Sequence, residues 1–149
     1  MWQMMNRLRT MVVLTGALLL LVSSTGLAAP ADTATQVIAK VYRANGVIAK
    51  VQVAFDARDW PLLRSYVDEY VAMMRSVTAQ VKDLVARGEN AKPSFDAVQH
   101  ATVKHLATLK KFHGRAPTKE VRDVLALAIS ASQSAYEAST EATTRTVGR

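Results

Sequence analysis

The chain has 149 residues, 19 Lys and Arg against 12 Asp and Glu, and no cysteine. The missing thiols exclude lipid attachment at cysteine, disulfides, thiolate metal sites and covalently attached haem, so an apolar core alone must hold the fold. The length suits one small domain, and a net charge of +7 makes it mildly basic.

At the N-terminus, Arg7 and Arg9 precede an uncharged apolar run over 11–22, and small residues follow over 23–29. This order predicts a secretory signal peptide over 1–28, cut after Ala28, with a cut after Ala31 as the alternative. The twelve apolar residues are fewer than the ~20 that cross a bilayer, which makes a retained anchor the weaker reading. The mature domain is then 29–149, with 17 cations against 12 acids and a net charge of +5. The expected location is periplasmic or extracellular, with no stable membrane span after cleavage.

In the mature chain, Val37, Val41, Ala44, Ile48, Val51 and Phe55 recur at steps of four and three and predict a first helix over 33–55. Gly46 lies inside it, next to Asn45, and marks either a kink or the close approach of a neighbouring backbone. The strongest pattern follows over 63–84, where Leu63, Val67, Tyr70, Met74, Val77, Val81 and Leu84 form a coiled-coil-like heptad seam. Asp59 caps this second helix, Pro61 fits its first turn, and Gly88 supplies the left-handed residue that ends it. The third helix is expected over 94–113, with Ser94 as cap and Gly114 as terminator. Phe95, Val98, Thr102, Leu106, Leu109 and Phe112 share one of its faces. Pro117 opens the fourth, whose inner stripe shrinks from Val121, Val124 and Leu125 to Ala128, Ser132, Ala135, Ser139 and Ala142, with fraying expected from Thr143.

No β-alternating segment appears, so the chain reads as an all-α, antiparallel up-down-up-down four-helix bundle with short loops. The last hairpin, through His105, Leu109, Pro117, Arg122, Ala128 and Ser132, resembles a pattern in exported bacterial helical-bundle domains of unknown function. The resemblance covers 95–136 and implies a fold and a compartment, with no chemistry attached.

Catalysis finds little support. The chain has no glycine-rich phosphate loop and no activated nucleophile, and Asp68 and Glu69 fall on the outer face of helix two. The absence of Glu-x-x-His excludes a di-iron carboxylate centre. At 100° per residue, His113 lies near the centre of the apolar face of helix three, His105 at its edge and His100 outside. The leading function is therefore a non-enzymatic bundle acting through protein contacts or self-association, with no cofactor. The alternative is a b-type haem or metal-binding bundle using Met73, Met74 and His105, if helices two and three form a hairpin that brings them within about a turn. Lys104, Lys110, Lys111, Arg115, Lys119 and Arg122 face one acid, Glu120, and form either a solvated surface or a dock for an anionic surface. Export and the lack of interleaved aromatics argue against nucleic acid.

Overall fold

The computed structural model describes residues 31–147; the expected signal peptide over 1–28 lies outside them. Four helices and no strand make up the described residues: α1 (Thr33–Asp56), α2 (Trp60–Ala86), α3 (Lys92–Arg115) and α4 (Lys119–Val147). All six positions of the α1 stripe and all seven of the heptad seam are buried, so the four-three spacing does mark the face that each helix turns inward. Small residues beside the stripes complete the core, notably Ala54, Ala101, Ala131 and Ala138.

The pairing of helices departs from the order in sequence. Helix α1 packs on α2 and α3, and α4 packs on α3 and α2, whereas α2 and α3 share no comparable interface despite the short 87–91 connection. Hydrogen bonds fix the registers. Lys40 donates to Ser76 and Gln80, and Arg87 donates to Thr33, so α1 and α2 run antiparallel. Ser94 donates to the Ala34 carbonyl and His105 meets Asn45, so α1 and α3 run parallel.

Helix ends follow local chemistry, with some corrections. Asp32 and Asp59 accept from Thr35 N and Leu62 N as N-caps. The first bond holds the Asp32 carboxyl below its usual pKa. Gly88, at φ 69°, closes α2 with a Schellman pair, Glu89 N to Leu84 O and Gly88 N to Val85 O. Helix α3 starts at Lys92, and Ser94 spends its hydroxyl on α1 instead of capping. Its far end passes through Gly114 to Arg115 because Ala116, extended before Pro117, is what stops it. Helix α4 begins after Pro117, with Thr118 accepting from Val121 N, and is helical to Val147, past Thr143 where fraying is expected. Thr143, Thr144 and Thr146 bond back to carbonyls three or four residues earlier along this last stretch. Helix α1 continues unbroken through Gly46, and among the described residues nothing lies within 4 Å of where its Cβ would be, so no neighbouring backbone comes close there.

The end of α1 uses the same Schellman geometry without glycine. Arg58 sits at φ 57°, its N bonded to Phe55 O and Asp59 N to Ala54 O. A side chain in this region costs ~1–2 kcal/mol, partly offset by the entropy that glycine loses on folding. Arg58→Gly should therefore raise stability by about 1 kcal/mol in a urea titration; a lower midpoint would mean that the Arg58 side chain holds the corner.

Candidate functional site

Each helix sends one polar group to a common level of the bundle. Asn45 comes from α1, Tyr70 from α2, His105 from α3 and Ser132 from α4. Tyr70, His105 and Ser132 are buried, while Asn45 lies at the surface. His105 Nε2 is 2.7 Å from Asn45 Oδ1, and His105 Nδ1 is 3.0 Å from the Tyr70 hydroxyl. With Asn45 presenting its carbonyl, Nε2 carries the proton and donates to it, leaving Nδ1 to accept from the phenol. The two rings meet edge to face at 5.4 Å.

This arrangement stabilises neutral groups. Burial pulls His105 down to about 4 from its ordinary 6.5. Burial also pushes the Tyr70 phenol far above its usual value, with the neighbouring Ser132 hydroxyl pulling weakly the other way. Ser132 Oγ is close enough to act on the phenol but has no partner in normal hydrogen-bond geometry among the described residues. Such a layer disfavours sliding of any helix by a turn, since a slip would leave buried donors and acceptors unpaired.

The structure corrects the histidine placement. His105 is 3 % exposed and sits in the core, His113 is half-buried, and His100 is exposed as expected. Phe95, Leu106 and other large residues drew the estimated centre of the α3 face away from His105. The small buried Ser94 and Ala101 turn the true centre back toward α1. Met74 is buried one turn beyond Tyr70 on α2, and Met73 is half-buried beside the core. Because α2 and α3 are not side by side, the residue that reaches His105 from α2 is Tyr70. Both ring nitrogens are engaged, so axial ligation by His105 would require breaking one of these bonds. Among the described residues no group of three or more His, Asp or Glu is placed to hold a metal ion.

Of the six predicted surface cations, all are exposed, but their circumstances differ. Lys119 pairs with Asp123 at 2.6 Å, and the Arg115 guanidinium lies 5.8 Å from the Phe55 ring centre. Lys104, Lys110, Lys111 and Arg122 form no ion pair among the described residues. Phe55 in turn stacks on Phe112 at 4.7 Å and meets Trp60 edge-on at 5.8 Å, closing that end of the bundle.

The sequence reading missed a groove along the α2–α4 seam. Arg75, Thr78 and Lys82 face Leu127, Ser130, Ala131 and Ser134 across one cleft. A second cleft shares Lys82 and continues past Val85 to Ala138 and Ala142, and a third shares Val85 and Ala142 and ends at Asn90 and Thr146. The clefts hold about 250–290 Å³ each and follow α4 from Leu127 to Thr146, roughly 28 Å at 1.5 Å per residue. The small residues of α4 leave this furrow open, and Leu127 stands 52 % exposed on its edge. The signal was present in the shrinking stripe, but reading it needs the knowledge that α4 lies beside α2.

No protein-family model, curated protein or solved structure matches this chain.

Proposed function

We propose that the chain is an exported, non-enzymatic four-helix bundle of up-down-up-down course that acts through protein contacts. The order of charges, apolar run and small residues over 1–29 supports export. The observation that carries the functional reading is the α2–α4 groove. A furrow about five turns long, with a small-residue floor, an exposed Leu127, Arg75 and Lys82 on the rim at that end and the ion-paired Glu141 and Glu89 at the other, suits an amphipathic partner helix whose acids lie at the Leu127 end. Arg75 and Lys82 make no ion pair among the described residues, so such a partner would meet cations that are not already neutralised.

Photo-crosslinking in the native host tests this reading. A benzophenone side chain at Ser134, in the groove, should capture a discrete protein, whereas the same group at Thr140, exposed on another part of α4, should not. Equal capture from both positions, or none from Ser134, would overturn it.

A further inference from the structure

Pairing α1 with α3 brings together two stretches that lack acids. Neither 33–55 in α1 nor 97–115 in α3 contains an Asp or Glu, and the two helices are neighbours although α2 separates them in sequence. Most acids of the described chain lie on α2, α4 and their flanking loops, with Asp32, Asp56 and Asp96 at the ends of α1 and α3. The bundle is thus basic along one side. On that side α3 exposes Lys104 and Lys111, which form no ion pair among the described residues, and two large apolar residues stand out of α1 beside them, Tyr42 at 70 % and Val53 at 68 % exposure.

We propose that the α1–α3 side docks on an anionic lipid surface. The distribution of groups favours a bilayer over an acidic protein. Lys104 and Lys111 lie two turns apart along α3 and make no ion pair among the described residues, which suits a continuous sheet of headgroups. Tyr42 and Val53 are eleven residues apart along α1, roughly 16 Å at 1.5 Å per residue, and do not form the contiguous desolvated centre of a protein interface. A tyrosine and a valine on a basic face are the amphipathic contacts that settle at headgroup depth. No described helix is long and apolar enough to cross the membrane, so the contact is peripheral. It uses a different side from the α2–α4 groove, leaving that groove open to a protein while the bundle rests on lipid.

Vesicle co-sedimentation of the processed protein tests this. Binding to phosphatidylglycerol–phosphatidylcholine vesicles should exceed binding to pure phosphatidylcholine at least tenfold and fall steeply between roughly 50 and 500 mM salt. Lys104→Glu and Lys111→Glu should each weaken it by roughly tenfold, and Tyr42→Ala by a few-fold, all with unchanged melting temperature because the side chains are exposed. Arg64→Glu makes the same charge change on α2 and should stay within twofold. Equal loss in Arg64→Glu would show that net charge, not this side, drives binding. Binding to polyglutamate but not to anionic vesicles would replace the lipid with an acidic protein. Either result, or equal binding to neutral vesicles, overturns the proposal.

Discussion

Acidification from pH 7 to pH 4 is expected to remove about 3 kcal/mol of folding stability through His105 alone. Its pKa is about 4 in the folded chain against 6.5 when unperturbed, because burial penalises the imidazolium. Between those values the unfolded chain takes up a proton that the folded chain refuses. The stability is therefore whole above pH 6.5, declines as pH falls through this window, and is exhausted below about 4. Protonation would turn Nδ1 into a donor facing the Tyr70 hydroxyl, and the phenol would have to swing its hydrogen toward Ser132, whose buried Oγ has no other partner among the described residues. Urea titrations of the wild type and of His105→Gln across this range isolate the effect. The carboxylates Asp32 and Glu120, whose pKa values are lowered from 3.8 and 4.5, lose their contribution as pH falls through and below those values, and they are common to both proteins, so they cancel in the difference. Parallel pH profiles for the two proteins would mean that His105 titrates normally and is solvated.

The second large effect concerns the half of α4 whose inner stripe is small. Ala135 is 0 % exposed, enclosed with Ala128, Ser139 and Ala142 against the other helices. Enlarging it to leucine has no empty space to use, and Ala135→Leu should cost about 1–3 kcal/mol by overpacking. A lower melting temperature with retained helicity is the expected outcome. An unchanged melting temperature would mean that this half of α4 stands open, leaving a three-helix core with a docking helix.

Individual helices were legible because burial and period coincide. From Leu63 to Leu84 each large seam residue faces inward, and Asp59, Pro61 and Gly88 bound α2 as their backbone preferences dictate. What could not be read was lateral order. Hydrophobic spacing gives each helix an inward direction but not its neighbours, so the α1–α3 contact, the acid-free side and the α2–α4 groove emerge only when the helices are assembled. The polar layer was hidden for the same reason. Asn45 looked like a break beside Gly46, Tyr70 like one more seam residue, Ser132 like a small filler and His105 like an edge residue. Their common level depends on the offsets between helices. Helix boundaries slipped where two signals competed, as at Ser94, where a hydroxyl suited to capping bonds across to α1.

The role of His105 decides between a bundle that works through its surfaces and one built around a cofactor. Nitrogen-15 NMR of the imidazole measures that role directly. A proton on Nε2, none on Nδ1, no titration until pH approaches 4, and no change on adding haem would agree with a histidine held between Asn45 and Tyr70. Titration near the ordinary 6.5, or a haem-dependent shift accompanied by a visible absorption band, would contradict it.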